Sequence, residues 1–249
     1  IGVLTVTTTL LALNWYLFIW AINHDHVLQT SLAYYINPLL MVFLGMAFLK
    51  EKLSGIQVVA LFSALIGVVY YTWSLGQFPW VSIIIAVTFG FYGLIHKMTP
   101  VLPLPGLCVE TLLMSIPAAG YLFYLDISGS GAWFQMGVKT DMLLIGTCLV
   151  TGLPLLIFTI GAKRSTMTTV GFMQYVAPSC TFLLAVFHYH EPFSVQKLIS
   201  FILIWTALIL YSIDSMARHR RLAAAIKDRS QQPEQAGEIR YAGQSAPKP

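Results

Sequence analysis

Charged residues are scarce in this chain: Asp, Glu, Lys and Arg make up 10% of its 249 residues. A soluble domain carries about 25% charged residues, so this chain has too few to cover a water-exposed surface. Hydrophobic residues make up 57%, and the mean hydropathy is +0.74. They form continuous runs of about 20 residues, the length at which a helix crosses a bilayer. We therefore predict an all-α membrane protein, because long continuous runs exclude the short alternating strands of a barrel.

Cysteine is scarce as well, and the three cysteines lie inside apolar segments with no metal-ligand spacing. We interpret them as small packing residues. The five aspartates are scattered, with no pair at helical spacing inside an apolar segment, and no Gly-rich phosphate loop occurs. These absences argue against an enzyme and against a metal or cofactor site. The basic residues near the carboxyl terminus lack the folded surface that nucleic-acid binding requires.

Eight apolar segments are long enough to span a membrane. Most are joined by three to eight residues, so neighbouring helices should be antiparallel. The exception is residues 126–140, a longer loop that contains Gly and Ser. After Asp214 the composition becomes polar, and we predict a basic, then disordered, tail over 218–249. The predicted spans are 1–22, 28–49, 55–75, 79–97, 106–125, 141–162, 167–188 and 196–214.

Two segments of the chain match each other without a gap at an offset of 140 residues. Residues 34–54 and 174–194 are both mostly apolar, and each has one proline at its middle. A duplicated pair of proline-interrupted apolar segments is typical of secondary transporters and indicates their substrate site. The equivalent pairs include Tyr35 and Tyr175, Pro38 and Pro178, Glu51 and Glu191, Phe18 and Phe158, and Tyr71 and Tyr211.

The basic residues predict the orientation of the chain. Ten lie on one side of the predicted bundle and two, Lys139 and Lys197, on the other. By the positive-inside rule the first side is cytoplasmic, and it includes the carboxyl terminus. Five crossings separate the equivalent spans two and seven, so the two halves are predicted to be inverted. The ten are Lys50, Lys52, Lys97, Lys163, Arg164, Arg218, Arg220, Arg221, Lys227 and Arg229.

The repeat also divides the chain. Residues 1–78 should supply the last three helices of a first repeat, and residues 79–217 a complete second repeat of five. Ile1 already lies inside an apolar run. We therefore expect two further helices upstream and ten in the whole protein.

Six sequence blocks carry a resemblance to a known family. They are NWYLFIWAIN (14–23), SLAYYINPLL (31–40), FLKEKL (48–53), TFGFYGLIHK (88–97), LCVETLL (107–113) and GFMQYVAPSCTFLLAVFHYHEPF (171–193). Over about residues 1–214 the chain resembles the RarD branch of the drug/metabolite transporter superfamily, whose repeat is the EamA domain. Ala33 stands where that branch usually has glycine, and His96 where it tends to have arginine. The resemblance implies a ten-helix bundle of two inverted five-helix repeats, in a branch often described as chloramphenicol-sensitive permeases of the bacterial inner membrane.

Pro38 and Pro178 lie near the middle of their predicted spans. Proline lacks an N–H and clashes with the carbonyl four residues back, so each frees one carbonyl. In lipid a freed carbonyl needs a protein, water or ligand partner; the alternative is that both prolines only bend helices for packing. We predict a substrate cavity at this level. Its candidate residues are Asn14, Trp15, Tyr34, Tyr35, Asn37, Pro38, Tyr92, Gln174, Tyr175 and Pro178.

Glu110 is the one carboxylate well inside a predicted span. A charged residue there costs about 2.5–3.5 kcal/mol on insertion scales unless it is partnered or faces water. Glu110 and Lys97 are therefore candidates for coupling to a proton or cation. The alternatives for Glu110 are snorkelling to the interface and a structural pair with Lys97. Glu51 and Glu191 are predicted to cap the amino-terminal ends of spans three and eight.

Together these features predict a secondary-active transporter, an exporter of a small organic drug or metabolite by alternating access, with proton coupling as one energy source and solute exchange as another. The alternatives are an intramembrane enzyme acting on a lipid-linked substrate and a passive channel. A channel is disfavoured because the chain lacks a ring of charges or a filter-like repeat. The expected partners are a small-molecule solute and the lipid bilayer, with no nucleic acid, cofactor or metal. The expected location is the bacterial plasma (inner) membrane.

Overall fold

The computed structural model describes residues 2–74, 76–129, 137–187 and 195–244, and all regular elements in these ranges are α-helices. Apolar runs of about 20 residues favour helices because a helix satisfies its own backbone hydrogen bonds in lipid. The helices are α1 (Gly2–Asn23), α2 (Val27–Leu49), α3 (Gly55–Ser74), α4 (Trp80–Met98), α5 (Pro103–Ile127), α6 (Val138–Arg164), α7 (Met167–Gln174), α8 (Val176–Phe187) and α9 (Val195–Gln244).

Seven stretches in the described part of the chain are long and apolar enough to cross a membrane. They are α1 to α6 and the segment Leu198–Arg218 of α9. The predicted span 167–188 is divided into α7 and α8, which meet at Tyr175. The prediction of an all-α membrane protein is thus confirmed, and α7 and α8 are each too short to be counted among the seven stretches.

The end of the chain differs from the sequence prediction. Disorder was expected after the basic cluster that follows Asp214, but α9 continues to Gln244. Ala, Arg, Gln and Glu are frequent between residues 218 and 244, and all four have high helix propensity. The predicted loop 126–140 is also shorter, because α5 extends to Ile127 and α6 begins at Val138. Residues 130–136 of that loop lie outside the described residues.

The repeat of 140 residues is visible in the helix boundaries. Both α2 and α7, and both α3 and α9, begin 140 residues apart. Equivalent residues also touch. The Tyr175 hydroxyl donates to the Tyr35 carbonyl at 3.1 Å, and the Ser63 hydroxyl donates to the Leu203 carbonyl at 2.9 Å. A residue meets its own equivalent beside a two-fold axis. These contacts therefore support a two-fold relation between the halves.

The core is built where α3 packs on α9 and α2 packs on α4 and α7. Phe172 stacks on Tyr211 with ring centroids 4.1 Å apart, and both belong to a buried apolar cluster with residues of α2, α3, α7 and α9. Helices α3 and α9 approach closely at Gly67, where a Cβ would lie 3.1 Å from the Ser200 carbonyl oxygen. This packing fixes α2 and α7 against each other, and α1 and α4 close over α2 on the other side.

Candidate functional site

The two proline-containing segments respond differently to their prolines. Helix α2 continues through Pro38, whereas the second segment breaks at Tyr175, three residues before Pro178. Pro178 cannot donate to the carbonyl of Gln174, so the helical ladder is interrupted there. One turn earlier, the Tyr175 N–H bonds to the Phe172 carbonyl at 3.2 Å, three residues back rather than four, which tightens the turn. The result is a joint between α7 and α8 in the middle of the predicted span.

The backbones of the two segments cross in direct contact beside this joint. A Cβ at Gly171 would lie only 2.6 Å from the Pro38 carbonyl oxygen, so only glycine fits. The crossing also carries a polar contact, because the Asn37 amide Nδ2 donates to Gln174 Oε1 at 2.6 Å. Both prolines are buried, and Pro38 lies at the crossing. The two proline-containing segments therefore touch each other in the structure.

A cavity of about 710 Å³ lies beside the crossing, between α1, α2, α4, α6 and the α7–α8 joint. Its volume falls in the range of about 300–1,000 Å³ that is typical of small-molecule sites. Among the described residues, its lining includes no Asp, Glu, Lys, Arg or His. The lining residues are Asn14, Trp15, Phe18, Ile19, Ala33, Tyr34, Asn37, Ile85, Ala86, Phe89, Val150, Thr151, Pro154, Leu155, Phe158, Gln174 and Ala177.

A second, larger groove of about 870 Å³ lies along α2, α3 and the segment before α4. Its walls are almost entirely apolar. Specific small-molecule sites combine apolar walls with a few convergent polar groups. The smaller cavity has such groups and the larger groove offers few, so the smaller cavity is the candidate site.

Half of the predicted cavity residues lie in the lining of the smaller cavity. They are Asn14, Trp15, Tyr34, Asn37 and Gln174. Asn14 has a second role: its amide donates to the Ile85 carbonyl at 2.8 Å and to the Thr88 hydroxyl at 2.9 Å. These two bonds join α1 to α4. Trp15 is 36% exposed and contributes to the cavity wall.

The other five predicted residues are placed elsewhere. Tyr35 and Tyr175 pack in the core between α2, α3 and α9, and Tyr92 is fully buried toward α5. Pro38 lies at the crossing, and neither Pro38 nor Pro178 belongs to the cavity lining. Tyr35 lies about 100° around α2 from Tyr34, and its ring packs against the core cluster rather than into the cavity.

An apolar layer separates the cavity from the end of the bundle at which Lys50 lies. It begins one turn beyond Asn37 on α2 and includes residues of α4 and α7. Its fully buried members are Met41, Leu44, Leu94 and Met167.

Glu51 joins α2 to α7 at the end of the bundle that the apolar layer closes, and its partners differ from the sequence prediction. It was expected to cap α3, but its carboxylate accepts from the backbone N–H groups of Met167 and Thr168, at 2.7 and 2.9 Å. The Thr168 hydroxyl donates to it as well, at 2.7 Å. Glu51 therefore caps α7, in the other half of the molecule. A carboxylate at a helix amino terminus is favourable because the helix dipole is positive there.

The chain turn after α2 explains why Glu51 reaches α7. Lys50 adopts a left-handed conformation (φ 55°), and the Glu51 N–H bonds back to the Gly45 carbonyl at 3.1 Å. The Glu51 side chain then lies over Gly45, where a Cβ would be 2.8 Å from its Oε2 atom. Helix α3 is capped instead by Ser54 and Gln57, which exchange two backbone-to-side-chain hydrogen bonds of 3.1 Å. Glu191, the equivalent of Glu51, lies outside the described residues.

Glu110 is buried, with 1% of its surface exposed, in a cluster between α1, α4 and α5. His96 Nε2 lies 2.7 Å from Glu110 Oε1, and the Tyr92 hydroxyl donates to Oε2 at 3.3 Å. The Thr7 hydroxyl also donates to Oε1. Of the alternatives for Glu110, snorkelling to the interface does not occur, and the partner of Glu110 is His96 rather than Lys97.

Lys97 lies on another face of α4, because it follows His96 by one residue. Its ammonium group donates to the carbonyls of Ala162, at 3.0 Å, and Ser165, at the end of α6. Lys163 donates in return to the carbonyls of Thr99, at 2.9 Å, and Val101, after the end of α4. The two lysines thus join the carboxyl-terminal ends of α4 and α6, where the helix dipoles favour cations.

Comparison with known proteins identifies the family. Residues 1–73, which include α1 to α3, match the EamA-like transporter family. Over 221 residues the chain is 39% identical to the protein RarD of Escherichia coli, covering 89% of this chain and 75% of that protein. The chain belongs to the RarD branch of the EamA-like transporter family.

Two further relatives of this RarD-branch transporter show the range of sequence identity within the matches. An uncharacterised transporter of Vibrio cholerae is 45% identical over 213 residues, covering 86% of this chain and 70% of the relative. The chloramphenicol-sensitive protein RarD of Pseudomonas aeruginosa is 30% identical over 218 residues, covering 88% and 72%. With seven membrane-length stretches in the part of the chain that the structure describes, the protein is a multi-pass membrane transporter, and these bacterial relatives place it in the inner membrane.

Sequence reasoning missed several site residues of this RarD-branch transporter. Phe18 and Phe158 both line the cavity, and their equivalence in the 140-residue repeat was a usable signal. Thr7 and His96 hold Glu110, but nothing in their sequence positions separates them from other polar residues at those depths. His24 and His26, in the turn between α1 and α2, stack on Trp20 with ring centroids 4.7 and 5.5 Å apart.

Proposed function

We propose that this RarD-branch transporter is a secondary-active carrier that exports a small organic drug or metabolite by alternating access. The observation that carries the proposal is the cavity at the crossing of two equivalent segments, separated from one end of the bundle by a packed layer. Binding at the interface of two repeats is how secondary transporters use internal duplication. The positive-inside rule assigns Lys50 and the carboxyl terminus to the cytoplasmic side. The packed end, at which Lys50 lies, is therefore the cytoplasmic one in this proposal.

The closed end supports a carrier over a passive channel. A channel needs a continuous path, whereas here the apolar layer and the Glu51 cap bring α2 and α7 together beyond the cavity. These contacts join the two halves, so they must separate when the cavity opens to that side. The close contact of Gly171 with Pro38 provides a point about which α2 and α7 can rock.

The Glu110–His96 pair is the proposed site of proton coupling. Both groups are buried, they lie 2.7 Å apart, and they sit between α1, α4 and α5. Besides His96, the polar groups that contact Glu110 are Thr7 and Tyr92. An ionisable group inside a membrane protein is by default a functional site, since burying it is costly. A proton that moves on or off this pair would change the charge at the contact between His96 of α4 and Glu110 of α5.

Counterflow in liposomes tests the carrier proposal. The purified chain is reconstituted into liposomes, which are loaded with unlabelled chloramphenicol and diluted into labelled chloramphenicol. The name of the Pseudomonas relative suggests this probe. A carrier produces transient uphill uptake of label, and empty liposomes do not. Uptake that only equilibrates would indicate a channel, and conversion of the probe would indicate an enzyme. Accumulation in inside-out vesicles, but not in right-side-out vesicles, is the result expected of an exporter.

A further inference from the structure

Asn37 has an amide that is only half satisfied. Its Nδ2 atom donates to Gln174 Oε1 at 2.6 Å, whereas its Oδ1 atom is buried and has no hydrogen-bond partner among the described residues. Asn37 is 8% exposed, and it belongs to the cavity lining. Buried polar side-chain atoms are hydrogen-bonded in the large majority of cases, so this acceptor requires an explanation.

The neighbouring polar groups do not supply the donor that Asn37 lacks. Gln174 already accepts the Asn37 amide N–H through its own oxygen. Asn14, the other asparagine of the lining, donates to Ile85 and Thr88 on α4. No described side chain donates to Asn37 Oδ1, so a molecule that enters the cavity is the candidate donor.

The rest of the lining defines the body of such a molecule. Five aromatic side chains contribute to the wall, and the described lining includes no charged or titratable Asp, Glu, Lys, Arg or His. A charged solute would lose its hydration here without gaining a counter-charge, which is strongly unfavourable. Aromatic walls instead favour flat apolar groups that stack on them. The five are Trp15, Phe18, Tyr34, Phe89 and Phe158.

We propose, on the basis of the carrier function above, that this cavity selects an uncharged small molecule with an aromatic body and one N–H or O–H group that donates to Asn37 Oδ1. Gln174 holds the Asn37 amide in the orientation that leaves this oxygen free. Because Asn37 lies on α2 and Gln174 on α7, the recognition point is shared by the two halves of the carrier. The specificity therefore depends on one amide pair at the crossing.

A matched pair of probes tests this inference. N-methylbenzamide and methyl benzoate have nearly the same shape, but only the amide carries an N–H. The full chain in lipid nanodiscs is titrated with each probe, and the apparent dissociation constant is taken from the concentration dependence of the melting temperature. We expect N-methylbenzamide to bind about tenfold more tightly, the order of one buried hydrogen bond. A third probe, 4-(methylcarbamoyl)benzoate, keeps the amide and adds a carboxylate, and should bind more weakly than the neutral amide.

Two variants locate the effect. Asn37→Leu should weaken the binding of N-methylbenzamide about tenfold and leave the binding of methyl benzoate within about twofold of the wild type, so that the preference for the amide disappears. Asn23→Leu is the control, because Asn23 is exposed and bonds only to the Ile19 carbonyl of its own helix. If Asn37→Leu fails to fold, Gln174→Leu and the three wild-type titrations still test whether the cavity prefers the amide. Equal binding of amide and ester by the wild type, or no binding of either, overturns the inference.

The outcome is separable from that of the carrier proposal. A wild type that shows counterflow but no preference for the amide is a carrier with a different recognition point. A wild type that prefers the amide but shows no counterflow has the binding site proposed here without the transport activity.

Discussion

Replacing Glu51 with glutamine should loosen the closed end of the bundle. The wild-type carboxylate accepts three hydrogen bonds of 2.7, 2.9 and 2.7 Å from Met167 and Thr168. Glutamine has nearly the same shape, but one of its two terminal groups is a donor. At least one donor at the start of α7 then loses its acceptor, and the negative charge that favours the helix dipole is removed.

The magnitude follows from the type of bond that is lost. Hydrogen bonds to charged groups contribute about 1.5–3 kcal/mol each. Every 1.4 kcal/mol changes an equilibrium about tenfold, so loss of one such bond should raise the population of the opened state about 10- to 150-fold. The change should appear mainly in conformational equilibrium, because the Glu51 contacts bridge the two halves.

Accessibility of a buried cysteine measures this population. Leu44→Cys places the reporter in the buried layer, and the exposed native cysteines Cys108, Cys148 and Cys180 are replaced by serine. The labelling rate by a water-soluble thiol reagent should rise at least about tenfold in Glu51→Gln. Lys52→Gln is the control, since it removes one charge from the same turn at an exposed position. An unchanged labelling rate in Glu51→Gln would refute the proposed role of this contact.

Three further outcomes follow from the structure. Glu110→Gln should abolish accumulation driven by a pH gradient while counterflow continues; unchanged gradient-driven accumulation would argue against coupling at this site. Gly171→Ala should lower stability by about 1–3 kcal/mol, because its Cβ would lie 2.6 Å from a backbone oxygen, and a thermal melt compared with Gly152→Ala, which has open space, measures it. Pro38→Ala or Pro178→Ala should slow turnover more than it lowers expression, and wild-type rates in both would reject a role for the bent segments.

The sequence predicts the helical class, the repeat and the level of the cavity because these depend on pattern along the chain. Apolar runs predicted the helices, and the offset of 140 residues identified the two proline-containing segments as equivalent. The sequence could not predict the rotation of each helix about its own axis. In a membrane helix that is apolar on all sides, no amphipathic pattern marks the face that points inward. Tyr35 and Tyr92 were therefore placed in the cavity although they face the core and Glu110.

Long-range partners were inaccessible for the same reason. His96 and Lys97 are adjacent, and only the rotation of α4 decides that His96 faces Glu110. Glu51 contacts residues 116 and 117 positions away, in the other half of the chain, and local capping rules suggested the nearer α3 instead. Pairwise contacts of this kind depend on tertiary packing and leave no mark in a single sequence.

The membrane sidedness of two equivalent positions tests the inverted arrangement most directly. Gly55 and Val195 begin α3 and α9, are both exposed, and are equivalent in the repeat. In a background without native cysteines, Gly55→Cys and Val195→Cys are labelled in intact cells and in inside-out vesicles with a reagent that does not cross membranes. The account predicts that Gly55→Cys reacts only in inside-out vesicles and Val195→Cys only in intact cells. Labelling of both positions from the same side would contradict it.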